Sequence, residues 1–175
     1  MVGRDARTAQ FARVETERLL LRRPVMDDMQ AFFAIHSDPA TNRYNPAGPL
    51  RSPDRARQLI ARDIELWDRH GFNYWAVSAK VEPAVIGFGG IGLMSWRERE
   101  ILNVYYRFSP SVWGNGYASE VVRTAIDFRH GWLPDFPLVV RTRPANAAAR
   151  RVAEKSGLER RPDLDCEFVV YALGW

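Results

Sequence analysis

The sequence predicts a single domain of mixed α/β (α+β) class: a mixed central sheet with helices on its faces. Three observations predict it. The chain has 175 residues, 46% hydrophobic and 26% charged, enough for a single core and ordinary for a globular protein. Apolar residues recur at helical spacing in some segments and fill short strand-like runs in others. Capping and turn residues punctuate these segments. Residues 1–13 ("MVGRDARTAQFAR") lack the apolar run of a signal peptide and read as a flexible arm. Residues 14–175 read as the domain.

The elements run in order along the chain. "ERLLLRRP" (Glu17–Pro24) reads as a first strand, and "DDMQAFFAIHS" as a short helix with Asp27 and Asp28 at its positive end. Asp38–Leu50 is rich in Pro, Asn and Gly and reads as loop. Ser52-Pro53-Asp54 starts a helix: a capping hydroxyl, Pro at the first position, then an acid. Ala56, Leu59, Ile60, Ile64 and Trp67 mark its inner face, and Gly71 stops it. "NYWAVSAK" and "AVIGFGGIGLM" read as strands joined by a turn at Glu82-Pro83, and Glu100–Phe108 as a third, ended by Ser109-Pro110. These three are close enough to form an antiparallel meander. A helix from Gly116 to His130, closed by Gly131, presents Ala118, Val121, Val122, Ala125, Ile126 and Phe128 inward. Leu138–Thr142 reads as a buried strand, Asn146–Ser156 as a helix stopped by Gly157, and "EFVVYAL" as the closing strand.

Composition excludes several function classes. The formal net charge is +4, with Arg scattered along the chain; this is no concentrated nucleic-acid stripe. No stretch is long enough to span a membrane. Cys166 is the single cysteine, so no intrachain disulfide forms, which fits a reducing cytoplasm. Cys166 itself reads as a small packed strand residue. His36, His70 and His130 fall near helix C-termini without metal-ligand spacing, and no metal is expected.

Two glycine motifs compete for a phosphate. "GFGGIG" (Gly87–Gly92) matches the dinucleotide pattern, but no helix opens after it and the expected acid is missing. It reads as a strand whose absent side chains permit close approach. Trp113-Gly114-Asn115-Gly116-Tyr117-Ala118 follows a strand and opens a helix. Backbone N–H groups there can converge on one point at the positive end of the helix dipole, which suits a pyrophosphate. No Lys-Ser/Thr pair follows, so this is not a nucleotide-hydrolysing P-loop. A tight turn with glycine for geometry alone is the competing reading.

Taken together, "TERLLLRRPVMDDM", "YYRFSPSVWGNGYASE" and "NAAARRVAEKSGL" resemble the GNAT superfamily of N-acetyltransferases, and most of all the branch of the ribosomal-protein N-terminal (Rim-type) acetyltransferases. The likeness runs from about Glu15 to Leu173. It implies a GNAT-like fold with a mostly antiparallel sheet, and acetyl-CoA as co-substrate. It assigns the phosphates to backbone amides of Gly114, Asn115, Gly116, Tyr117, Ala118 and Ser119. It places Tyr106, Arg107 and Phe108 along the pantetheine arm, and Asn146 on the CoA side, where a plain helix cap is the competing reading. The family's Gln or Arg before the glycines is Trp113 here.

The resemblance implies direct transfer of an acetyl group to a primary amine, a small molecule or a protein N-terminus. The amine must shed a proton, since an ammonium of pKa ~10 is no nucleophile. The thioester oxygen needs a donor, and a thiolate must leave. Many relatives carry Glu where this chain has Asn103, and a hydroxyl where it has Ala149. Three readings remain: a water chain to an acid such as Glu98 or Glu100, a tyrosine (Tyr105 or Tyr106, with Tyr106 favoured) that protonates the thiolate, or an acyl-CoA sensor with weak catalysis. Tyr44 in its Pro-rich loop is the candidate substrate wall. A cationic acceptor would call for Asp27, Asp28, Glu98 and Glu100 at the open end of the sheet. The expected assembly is a monomer or homodimer.

Overall fold

The computed structural model describes residues 8–175. Residues 8–12 are helical (α1) and lead into β1 (Arg13–Glu15). Phe11 is fully buried, its ring 4.1 Å from Trp75 and 3.8 Å from Phe128. Trp75 Nε1 donates to the Phe11 carbonyl at 2.8 Å. The flexible arm expected over 1–13 is corrected for residues 8–13, because one aromatic in a polar stretch pins the segment to the core. Residues 1–7 of that arm lie outside the described residues.

β2 (Leu19–Arg22) is followed by a 3-10 turn at Met26–Asp28 and by α2 (Met29–Ser37). α3 (Pro53–His70) starts and stops where the sequence indicates. The Ser52 hydroxyl accepts from Arg55 N at 3.2 Å, and Gly71 ends the helix at φ 78°. β3 (Trp75–Ala79), β4 (Glu82–Trp96) and β5 (Arg99–Phe108) form the expected meander. Then come α4 (Tyr117–Trp132), β6 (Leu138–Thr142), α5 (Ala147–Lys155), β7 (Glu159–Arg160) and β8 (Val169–Leu173).

Several details differ from expectation. The β3–β4 turn is at residues 80–81, so Glu82 and Pro83 already belong to β4. The β4–β5 hairpin is closed by Arg97 and Glu98, both left-handed at φ 50° and 61°. That geometry normally shows itself as Asn-Gly, which hides this turn from the sequence. α4 runs through Gly131, and its last N–H bond goes from Leu133 to the Arg129 carbonyl. Cys166 is exposed in a bend ahead of β8, not packed in a strand.

The sheet has eight strands in the order β1-β2-β3-β4-β5-β6-β8-β7. Among the described residues its only parallel pair is β5 with β6; every other pair is antiparallel. α4 makes that one crossover. α2 and α3 cover one face through Phe32, Ile35, Ala56 and Ile60 against Ala76 and Phe88. α4 covers the other through Val121, Val122, Ala125 and Ile126 against Leu21, Val77, Ile91 and Leu102. The GFGGIG run lies in the middle of β4 and opens no helix. Its glycines make room for neighbours: a Cβ on Gly90, at φ 130°, would sit 2.6 Å from the Trp75 ring.

One ion pair ties the chain entry to α4. Glu120, in the first turn of α4, is buried. Its Oε1 accepts from Thr16 Oγ1 and Arg18 N, and its Oε2 from Arg18 Nε. Burial alone would raise its carboxyl, but these hydrogen bonds and the Arg18 charge outweigh that and hold it below the usual range. Arg18 Nη1 also donates to the Asn115 carbonyl at 2.7 Å, which braces the glycine turn. Glu120→Ala removes the acceptor of Thr16 Oγ1, Arg18 N, Arg18 Nε and Arg18 Nη2, while Thr16 retains the Leu19 carbonyl and the half-exposed Arg18 side chain retains water, so it should lower unfolding free energy by about 2 kcal/mol. Arg13→Ala, which breaks an exposed pair with Glu15, should cost less than about 0.5 kcal/mol. Urea denaturation of both variants checks the contrast.

Candidate active site

β5 and β6 pair for only two positions, Leu102 with Leu138 and Asn103 with Val139. Beyond Asn103 the strands part, and the edge of β5 over residues 104–108 faces a cleft of about 690 Å³. β6 forms the far wall, α5 and the start of α4 close one side, and the loop carrying Ala40–Pro46 closes the other.

The mouth is shaped by the glycine turn. Gly114 and Gly116 take φ 83° and 78°, left-handed values that favour glycine. Gly116 is the N-cap of α4 and has no side chain to cap it. The first amides of α4 therefore lack an intrahelical partner, and the helix dipole adds positive potential there. A Cβ on Gly114 would meet nothing within 4 Å, and one on Gly116 only Arg18 Nη2 at 3.6 Å, so the space above the turn is open.

Tyr106, Arg107, Phe108, Gly114, Gly116, Tyr117, Ala118, Ser119 and Asn146 all line the cleft. Asn115 does not: its Nδ2 donates to the Val112 carbonyl and its own carbonyl takes Arg18. Trp113 lines the mouth half exposed, with its indole N–H on the Phe108 carbonyl at 2.9 Å. Asn146 Oδ1 caps α5 by accepting from Ala149 N at 3.1 Å, which leaves its Nδ2 outside the cap. Tyr44 and Ala149 also line the cleft. Glu98 and Glu100 are exposed at the far end of the hairpin, Asp27 is exposed, and Asp28 is held by Arg22 at 2.6 Å; none of these four lines the cleft.

The pleat of β5 separates two environments. Tyr106 points to the α4–α5 side, where its hydroxyl donates to the Ala149 carbonyl at 3.1 Å and burial pushes its pKa up. Asn103, Tyr105 and Arg107 point to the α2–α3 side. Asn103 Nδ2 donates to the Tyr74 hydroxyl at 2.9 Å. Tyr105 OH meets His36 Nε2 at 2.6 Å, and His36 Nδ1 meets the Phe32 carbonyl at 2.8 Å. A carbonyl only accepts, so Nδ1 carries the proton and Nε2 accepts from Tyr105. Burial, then the nearby Arg107, pushes His36 down to about 4. His36 lies in the last turn of α2, as expected, and is neutral and buried there. Behind this group Asp63 is bonded by Asn73, and burial lifts its carboxyl to about 6. Burial likewise pushes Tyr74 up to about 12. The His36–Tyr105 pair joins residues 69 apart, and no local pattern announces it. Among the described residues, no group of three or more His, Cys, Asp or Glu is placed to hold a metal. None of their helices is long and apolar enough to cross a membrane.

Comparison with known proteins decides what this architecture is. Residues 18–159 match the acetyltransferase (GNAT) domain family. The chain belongs to the GNAT acetyltransferase family. It is an acetyltransferase, and several of its relatives are named N-acetyltransferases. The uncharacterized N-acetyltransferase YoaA of Bacillus subtilis (strain 168) is 25% identical over 150 residues, covering 86% of this chain and 84% of YoaA. Among solved structures, the acetyltransferase from Agrobacterium tumefaciens str. C58 shares the fold with a TM-score of 0.79 at 24% identity, covering 94% and 95% of the two chains. The Rim-type branch is represented by RimL, a ribosomal L7/L12 alpha-N-protein acetyltransferase in complex with coenzyme A. It has a TM-score of 0.70 at 18% identity, covering 90% and 94%.

Two buried titrating groups of this acetyltransferase act in opposite directions. His36 titrates near 4 in the fold against 6.5 normally, so its contribution is full above 6.5 and is lost as pH falls toward 4. Asp63 titrates near 6 against 3.8, so its cost is absent below 3.8 and grows as pH rises to 6. The two slopes oppose each other between about 4 and 6. Melting temperatures across that window should therefore fall more steeply on acidification in Asp63→Asn than in the parent, and less steeply in His36→Gln. Parallel curves for all three proteins would contradict these environments.

Proposed function

We propose that the chain transfers an acetyl group from acetyl-CoA to a primary amine by direct attack in a ternary complex. The observation that carries this is the parting of β5 from β6 with the uncapped start of α4 at the mouth of the gap. The residues present fit the cofactor. The open turn and free amides of residues 114–119 suit a pyrophosphate. The unpaired β5 edge at Tyr106, Arg107 and Phe108 suits an amide-bearing arm. Asn146 Nδ2 supplies a further donor on the CoA side. Asn115 contributes its backbone amide only.

Bound there, acetyl-CoA supplies the activated acetyl group as a thioester. The protein holds the two substrates in line, which provides most of the gain. Free N–H groups of the β5 edge serve as donors for the thioester oxygen. As the C–N bond forms and the C–S bond breaks, Tyr106, on the α4–α5 side, turns its proton from the Ala149 carbonyl to the leaving sulfur, and the proton shed by the amine passes through water to restore Tyr106. Tyr105, whose proton is directed to His36, keeps an oxygen lone pair for the N–H of the amine. These two hydroxyls stand in for the groups missing at Asn103 and Ala149, which supports turnover over a sensor that only binds acyl-CoA.

This arrangement sets two expectations. Gly116→Asp should abolish CoA binding in calorimetry while the protein stays folded, because an acid both fills the approach and repels phosphate; binding at parental strength would reduce the motif to a turn. Tyr106→Phe should slow the chemical step by about 10²-fold with unchanged acetyl-CoA affinity, and Ala149→Ser should be nearly silent. Single-turnover rates check this pair, and the reverse pattern would remove the proton from Tyr106.

A further inference from the structure

The cleft is lined by one sign of charge. Arg43, Arg107, Arg141, Arg143, Arg151 and Lys155 line it, and among the described residues no Asp or Glu does. Among the described residues only Arg143 of these six forms an ion pair, with the exposed Glu167 at 2.9 Å. The carboxyls a cationic acceptor would need are elsewhere: Glu98 and Glu100 at the far hairpin, Asp27 at the surface, Asp28 against Arg22. Asp63 lies behind Asn73 and does not line the cleft.

Four of the six cations fall into two groups. Arg151 and Lys155 belong to α5, the helix that Asn146 caps, and stand on the side of the phosphate turn. Arg107 and Arg141 stand on the other side. Arg107 shares the α2–α3 face of β5 with Tyr105, its guanidinium 5.8 Å from that ring and fixed by Asn42 Oδ1 at 3.0 Å. Arg141 lies two residues beyond Val139, the β6 partner of Asn103. It rests over Trp96 at 5.2 Å and spends Nη2 on the Met94 sulfur at 3.1 Å, a weak acceptor. Its Nε is buried with no hydrogen-bond partner. A guanidinium fixed by a ring and a thioether, with a buried N–H left over, is a donor set lacking its acceptor.

We propose that the acceptor amine of this reaction also carries an oxyanion, a carboxylate in the simplest case, which Arg107 and Arg141 receive while the amine lies against Tyr105. This rests on the acetyl-transfer reading and narrows its substrate class. Amino acids, and protein N-termini whose first side chain is acidic, have this chemistry. Polyamines and aminoglycosides have the opposite charge and are excluded by the six cations.

The test compares matched amines on the CoA-saturated protein by calorimetry, and on acetyl-CoA by turnover. Alanine is set against alaninamide, a C-terminally amidated peptide beginning with Asp against one beginning with Asn, and spermidine against both pairs. The anionic member of at least one pair should bind at least about tenfold more tightly than its neutral partner and than spermidine. The pair that shows it tells a free amino acid from an acidic N-terminus. Arg141→Gln should erase that preference by weakening only the anionic member, with acetyl-CoA affinity unchanged. Should Arg141→Gln fold poorly, Arg107→Gln should reduce the same ratio. Equal binding within both pairs, tighter binding of spermidine, or an equal loss for acid and amide in the variants would overturn the proposal. Selective oxyanion binding without turnover would sustain it and count against acetyl transfer, and weak acetyl-CoA binding in the same titrations would count against the donor site.

Discussion

Everything in the cleft depends on β5 and β6 being partners for two residues and then not. Parallel strands that stay paired satisfy each other's N–H and C=O groups, and a sheet so closed offers no backbone to a ligand. Here the bonding stops at Asn103, so the next five residues of β5 present an edge inside the domain. Such edges are normally covered or avoided. This one is kept open by its surroundings: β6 is held by β8 along its whole length, and α4 holds the even-numbered face of β5 through Val104 and Phe108. An extended chain with amide groups is the natural complement of that edge.

The same divergence sorts the chemistry by residue parity. Even positions of β5 turn toward α4 and α5, where Tyr106 reaches the Ala149 carbonyl. Odd positions turn toward α2 and α3, where Asn103, Tyr105 and Arg107 join Tyr74, His36 and Asn42. A donor entering along the edge would have the phosphate turn at one end and this polar group at the other. The turn is itself anchored at a distance. Arg18, clamped by Glu120, holds the Asn115 carbonyl and so links the first strands to the start of α4.

Much of this is legible in the sequence where local chemistry decides. The Ser52-Pro53 start and Gly71 stop of α3 are capping rules acting alone, and the helix obeys both. The two glycine motifs differ in the residues on their C-terminal side: GFGGIG continues as a strand, and WGNG opens a helix. Nine of the ten residues expected in the cofactor site line one cleft, and Asn115 alone is turned away. Some features hidden from the sequence need partners distant in the chain, and others are local but carry no signature. Phe11 reads as part of a polar arm until Trp75 and Phe128 enclose it. Arg97 and Glu98 carry no turn signature. His36 reads only as a histidine near a helix end until Tyr105 and burial make it a neutral acceptor. The two-residue β7 offers no periodicity to read.

The central claim is that the gap beside β5 and the turn before α4 form one binding surface for acetyl-CoA. Amide hydrogen exchange measured with and without acetyl-CoA tests it most directly, since it reads individual backbone N–H groups. The account predicts slowed exchange confined to two segments, residues 104–108 and residues 114–119, with the GFGGIG amides of β4 unchanged. Protection at the β4 glycines, or protection of only one of the two segments at saturating acetyl-CoA, would contradict it.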